Sequence, residues 1–258
     1  VHSGALVTAR DLAEEAVRRY REDGFVHVRQ VLGEPEIAEF HEDAMELLER
    51  EQRTGWGAGD RTVLEFVADS QLKSEAMRRL AVHPVITGIA ERLAGVPLRL
   101  FKQELLLKEA GRSLPTDAHF DEFALPFTAA PSGLTAWVAL VDVPMERGCM
   151  TFVPGSHLLP PSQRPQDAWE PFGRPEVRWL PRVAVPVRAG DCTFHHIRTV
   201  HSAGVNATGV PRVSASTVYM DDGAIYRKTG NRGLDELPEA GELTPGRRLD
   251  GARFPRVG

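Results

Sequence analysis

From Leu98 to Met220 the chain is a succession of short apolar or β-branched stretches punctuated by Gly and Pro. Leu98–Lys108, Leu134–Val143, Met150–Val153, Val183–Val187, Thr193–Ile197, Thr199–Val205 and Val210–Met220 read as strands. Runs of this length and punctuation predict an antiparallel double-stranded β-helix, the cupin-like jelly roll, with any helices packed on its outside.

Helical signals all lie before that region. Thr8 can cap a helix with apolar positions at Leu12, Ala16, Val17 and Tyr20 and a stop at Gly24. Phe25–Val31 has strand-like composition. Pro35 suits the first turn of a second helix, whose stripe Ile37, Phe40, Ala44, Leu47 and Leu48 reads as core packing. The Gly-rich segment from Thr54 to Asp60 reads as a loop and lacks the Lys-Ser/Thr ending of a phosphate-binding loop. Ser70–Leu80 and Pro84–Leu93 read as two more helices, the second ended by Gly95. With no linker between helices and strands, the expected class is α+β, mainly β. We expect one domain: a helical part over about 8–95, a jelly-roll core over about 98–221 and an irregular tail over 222–258. The Pro-rich Leu158–Pro181 and the tail from Asp222 escape the strand pattern, as functional lids or disordered segments do.

Composition narrows the partners. A net charge of −5 gives no basic field for a polyanion, so nucleic acid is not expected. The longest apolar run, Leu134–Val141, is too short to span a bilayer, and the first residues carry no leader pattern. Two cysteines, Cys149 and Cys192, suit no disulfide scaffold. The expectation is a cytoplasmic protein with a small-molecule partner; oligomeric state is not readable.

Chemistry gathers around His201–Arg212 and His119-Phe120-Asp121. In an extended strand residues i and i+2 share a face, so His119 and Asp121 can bind one ion while Phe120 points away. With His201 they make two imidazoles and one carboxylate. That donor set occupies one face of an octahedral ion and leaves about three positions open, as in non-haem Fe(II) oxygenases. Arg212 is permanently charged and matches a carboxylate bidentately.

Taken with the turn Gly148–His157 and the run from Gly190-Asp191 through His196, His201 and Asn206 to Arg212, these residues resemble the phytanoyl-CoA dioxygenase family of Fe(II)/2-oxoglutarate enzymes. Order and spacing agree across residues 20–220. Pro154-Gly155-Ser156-His157 and the eleven-residue step from His201 to Arg212 are its most specific marks. Ala118 and Phe120 depart from the residues many members carry there, but neither is a ligand position.

The resemblance implies Fe(II) held by His119, Asp121 and His201, and a 2-oxoglutarate that chelates the ion and is decarboxylated with O2 to succinate and CO2 as a substrate C–H bond is attacked. It implies Arg212 as the anchor of the far carboxylate, with Ser214 on the same strand face as a second donor. Trp137 matches a family aromatic beside the cosubstrate or is a core residue; Gln103 and Lys108 can present polar groups to it or be satisfied strand residues. Relatives that halogenate carry Ala or Gly where Asp121 stands, so a hydroxylase-type outcome is expected, with desaturation, epimerisation or cyclisation open to the same chemistry.

Phe123, Leu125 and Phe127 follow the triplet, and Trp169 and Phe172 sit in the Pro-rich loop; these predict an apolar, covered pocket for a hydrophobic or polycyclic natural-product intermediate. His196 is expected to line the pocket or support a ligand, with His195 facing the other way, and His157 to hold its turn. The rival is a non-catalytic jelly roll, a sensor or carrier, marked by a closed metal shell with a fourth ligand such as His196.

Overall fold

The computed structural model describes residues 12, 14–58, 61–111, 113–160, 167, 170–241 and 243–258. Thr8, expected to cap the first helix, and Trp169 lie outside them.

Helix α1 (Glu14–Asp23) buries Val17 and Tyr20. It stops at Gly24, where φ is +82° and a Cβ would come within 2.4 Å of His157 Nδ1. Only glycine serves there, in conformation and in space. Strand β1 (Phe25–Val28) leads to α2 (Glu34–Arg50), which carries Pro35 in its first turn and buries Phe40, Ala44, Leu47 and Leu48 as the stripe predicted.

The described part of the Gly-rich segment, Thr54–Ala58, is a strand and not a loop. Thr54–Ala58 (β2) and Arg61–Ala68 (β3) form a hairpin, and β3 continues onto the edge of β4 (Leu98–Lys108), pairing Glu65 with Leu107 through Ala68 with Glu104. β3, rich in β-branched and apolar residues, extends the ladder of β4, and the Gly-rich β2 is held as a strand by pairing with β3 alone. The helix expected over Ser70–Leu80 is two, α3 (Ser70–Lys73) and α4 (Glu75–Ala81), because Ser74 is extended and its hydroxyl caps the second by accepting from Met77 N–H at 3.2 Å. Helix α5 (Pro84–Ala94) ends at Gly95 with φ +72°.

After β4 come β5 (Thr116–His119), β6 (Phe127–Thr128), β7 (Leu134–Ala139), β8 (Met150–Phe152), the short α6 (Pro175–Arg178), β9 (Val183–Val185), β10 (Cys192–His196), β11 (His201–Ala203) and β12 (Arg212–Asp221). The tail adds β13 (Ile225–Tyr226), α7 (Arg232–Asp235) and β14 (Arg256–Val257). The large sheet runs β1-β10-β7-β12-β4-β3-β2 with β14 on β4, the small one β5-β11-β8-β9, and β13 pairs β6. Every pairing is antiparallel, and the fold is a jelly roll with helices against the large sheet. Several strands are shorter than predicted; Val143 and Val187, expected strand ends, meet only in an isolated bridge.

Alternation along the central strands divides two environments. On β12, Val213, Ala215 and Tyr219 join the core built with α1 to α5, and Tyr219 Oη donates to Ala81 O at 2.8 Å. Arg212, Ser214, Ser216 and Val218 take the other face. The tail is also built in. Leu249 and Phe254 are buried against Phe101, and the buried Arg253 donates to Phe101 O at 2.7 Å, to Pro238 O at 2.9 Å and to Asp69. Among the described residues, no helix is long and apolar enough to cross a membrane.

Candidate active site

His119 closes β5, and Asp121 opens a 3-10 turn that runs to Ala124. The expected single strand through the triplet is therefore corrected to a strand end and a turn. The alternation survives because Phe120 is itself extended (φ −133°, ψ 146°). Phe120 is buried with Val153, Val177 and Val200, while its two neighbours face the interior.

His201 begins β11 directly opposite His119. His119 Nε2 lies 3.8 Å and His201 Nε2 3.6 Å from Asp121 Oδ1. The donor atoms of these three residues all lie within 4.8 Å of one another, a group that His195 and His196 do not join. Backbone carbonyls set the tautomers: His119 Nδ1 donates to Asp117 O at 2.8 Å and His201 Nδ1 to Thr199 O at 3.0 Å. In these tautomers the lone pair of each imidazole is on Nε2, the nitrogen nearest Asp121 Oδ1. Burial, with the neighbouring imidazole, pulls both histidines down to about 4. Burial alone would raise Asp121, but the imidazoles of His201, His195 and His119 outweigh it and hold its carboxyl well below the usual range. At neutral pH the trio is two neutral imidazoles and a carboxylate, the protonation states a divalent metal needs.

His195 is the residue the sequence reading turned the wrong way. It is buried and lines the cavity, with Nε2 3.4 Å from Asp121 Oδ2 and its ring centroid 4.5 Å from that of His201. His196 is turned away from the cavity, packed beside His157, and its Nε2 donates to Pro131 O at 2.8 Å, so it neither lines the pocket nor supplies a fourth ligand. Strand alternation required that one of the pair face inward; where β10 begins decided which. Thr135, also missed, donates its hydroxyl to Asp121 Oδ2 at 2.8 Å.

Arg212 is 1% exposed and lines the same cavity. One guanidinium nitrogen donates to Gly148 O at 2.7 Å and its carbon stands 5.3 Å from the Trp137 ring. Burial pushes its pKa down to about 10, which leaves it charged at neutral pH. Arg212 Nε, Ser214 Oγ and Trp137 Nε1 are buried with no partner, a cluster of unused donors where an anion would satisfy them. Lys108 pairs with Arg212 in the β4–β12 register, but its ammonium donates to Leu114 O at 2.7 Å, and burial beside the Arg212 charge pulls it down to about 7. Its expected polar contact is spent on the backbone. Gln103 is turned to the helical side, where its amide accepts from Ser70 Oγ at 2.9 Å and donates to Thr217 Oγ1 at 3.1 Å, so it cannot reach a cosubstrate.

These groups open into a cavity of about 380 Å³. Its apolar lining includes Trp56, Leu64 and Phe66 of the β2–β3 hairpin, Leu106, Leu125 and, from the tail, Leu234. Lys102 and Glu104, joined at 2.6 Å, and Asn231 are its polar features. The other predicted lining residues are elsewhere. Phe127 packs with Phe101 in a separate core; Phe123 and Phe172 pack beside Phe120 and Val177. Among the described residues, the hairpin and α7 line the cavity and the Pro-rich loop does not, and nothing in the sequence of α7 signalled it.

The model of the phytanoyl-CoA dioxygenase (PhyH) family matches residues 20–214. In structure the chain is similar to the non-haem α-ketoglutarate-dependent epimerase SnoN from nogalamycin biosynthesis, at 57% identity over 94% of this chain and 97% of that one with a TM-score of 0.90. SnoN has also been solved in complex with Fe3+, α-ketoglutarate and nogalamycin RO. The α-ketoglutarate-dependent carbocyclase SnoK of the same biosynthesis is 45% identical over 99% of this chain and 100% of that one, with a TM-score of 0.88. Peroxisomal phytanoyl-CoA dioxygenase of Rattus norvegicus is 23% identical over 239 residues, 83% of this chain and 70% of that protein. A jelly roll carrying a His-Asp-His group beside a buried arginine, matched by that family over most of its length, belongs to the phytanoyl-CoA dioxygenase family of iron- and 2-oxoglutarate-dependent oxygenases.

Proposed function

We propose that His119, Asp121 and His201 hold Fe(II), that Arg212 with Ser214 and Trp137 receives the far carboxylate of 2-oxoglutarate, and that the enzyme oxidises a hydrophobic or polycyclic natural-product intermediate in the cytoplasm. The observation that carries this reading is the set of unpartnered buried donors Arg212 Nε, Trp137 Nε1 and, two residues along the same strand face from Arg212, Ser214 Oγ, with Arg212 and Trp137 lining the cavity that holds the His-Asp-His group. A buried guanidinium without an anion is costly, and a dicarboxylate that also reaches the metal resolves it.

When bound, the iron centre with 2-oxoglutarate and O2 supplies the oxidising power, with succinate and CO2 released. The chain's own residues set the conditions. Asp117 O and Thr199 O fix the imidazole tautomers, and Trp56, edge-on to His119 with ring centroids 5.6 Å apart, shields that side from water. Asp121 occupies the place a halogenating relative leaves open, which supports oxygenation. The hairpin wall suits a flat apolar ring system, and Lys102, Glu104 and Asn231 offer it polar contacts. We read the product as hydroxylated. The 57% identity to an epimerase favours epimerisation as the second reading; product mass separates them, since hydroxylation adds an oxygen atom and epimerisation leaves mass unchanged.

The test is anaerobic addition of Fe(II) and 2-oxoglutarate to metal-free protein. A weak visible charge-transfer band that Arg212→Ala removes is the expected result. Metal binding with no band in the unaltered protein would overturn the reading in favour of a carrier or sensor.

A further inference from the structure

We propose that Thr135 and His195 are positioning residues that hold Asp121 by one oxygen, so that only the other is presented to the metal and the remaining coordination positions stay open. The inference rests on the metal reading above and deepens it.

The two oxygens of Asp121 have different surroundings. Oδ1 is the one that faces both ligand imidazoles, at 3.8 and 3.6 Å. Oδ2 accepts the Thr135 hydroxyl at 2.8 Å and has His195 Nε2 at 3.4 Å. Thr135 and His195 are direct cross-strand partners in the β7–β10 ladder, so the sheet sets them side by side on its cavity face. His195 is 1% exposed, and neither of its ring nitrogens makes a hydrogen bond. A buried imidazole with both nitrogens unspent, 3.4 Å from a carboxylate oxygen that already has one donor, is a poor packing residue and is placed to become a second donor to that oxygen.

The consequence is about coordination number. A carboxylate free to rotate can bind an ion through both oxygens, and Asp121 doing so would fill a position that 2-oxoglutarate or O2 needs. A donor fixed on Oδ2 opposes that rotation. The Asp121 carboxylate sits on a turn and not within a strand, so the backbone alone restrains it less than it restrains the two histidines.

Co(II) is the probe, read by its affinity and visible absorption in the absence of substrate and O2. Thr135→Val keeps the side-chain shape and removes the hydroxyl. We expect its Co(II) Kd to rise roughly tenfold to a hundredfold, the range for loss of a group that orients a ligand. The absorption bands should shift as Asp121 rebinds through both oxygens, and Thr135→Ser should return both readouts to near the unaltered values. His195→Leu, on the other strand, should shift the bands in the same direction, which keeps the test available if the threonine variant does not fold. Wild-type affinity and spectrum in Thr135→Val, or Thr135→Ser as impaired as Thr135→Val, would overturn the positioning role. Unchanged Co(II) binding in His119→Ala would instead overturn the ligand assignment beneath it.

Discussion

The Arg212 guanidinium carbon lies 5.3 Å from the Trp137 ring centroid, and the same side chain spends one nitrogen on Gly148 O. The indole and the carbonyl fix the plane of the fork before any anion arrives. Arg212→Lys keeps the charge and loses that geometry. A charge-assisted contact contributes about 1.5–3 kcal/mol, so the 2-oxoglutarate Kd should rise roughly tenfold to a hundredfold while Fe(II) affinity stays within about twofold. Titration of the charge-transfer band measures both; an unchanged 2-oxoglutarate Kd places the anchor elsewhere.

Gln103 gives the opposite expectation. Its amide ties Ser70 on α3 to Thr217 on β12, all within the buried helix-sheet layer. Gln103→Leu should leave 2-oxoglutarate binding untouched and lower unfolding stability by about 1–3 kcal/mol, because buried partners lose their bonds. Denaturant titration together with the same band titration checks it, and a weakened cosubstrate would return Gln103 to the site.

Leu234 lines the cavity from the tail, outside the strands and turns that carry the metal and cosubstrate groups. Leu234→Trp should therefore reduce succinate release stimulated by a polycyclic substrate at least severalfold while the slow release without substrate is kept. Equal loss of both rates would show that α7 matters for folding and not for the substrate.

His196, away from the metal group, is pulled down to about 4 by burial and by the neighbouring His157 and Arg198 charges, against the help of Pro131 O. Between an unfolded value near 6.5 and about 4, the unfolded chain binds a proton that the folded one refuses, so stability falls as pH falls through that window. His196→Gln should flatten the acid slope of metal-free protein by up to about 1.4 kcal/mol per pH unit, one proton's worth. An unchanged slope in urea titrations at successive pH values would rule this out.

These contrasts show what the sequence could and could not say. His119, Asp121, His201 and Arg212 were legible because their types are rare in combination and their chemistry demands company; the structure gathers them in one cavity. The jelly roll was legible from the rhythm of β-branched runs and breakers. His195 and Gln103 were not, for one reason: each lies on a strand where a one-residue choice of face decides between cavity and core. The Gly-rich strand and the tail wall escaped because their placement depends on distant partners, the β3 strand already laid on β4 for one and the cavity for the other. Local composition carries neither fact.

The hairpin and α7 have a consequence for how such an enzyme changes over time. Leu64 and Phe66 come from before the jelly-roll core, and Asn231 and Leu234 from after it, while the metal and anchor groups lie on strands and turns between. Mutational drift at either end of the chain can reshape what enters the cavity without disturbing the face that carries out the oxidation. Selection on the molecule recognised and selection on the reaction performed can therefore proceed on separate stretches of the same gene.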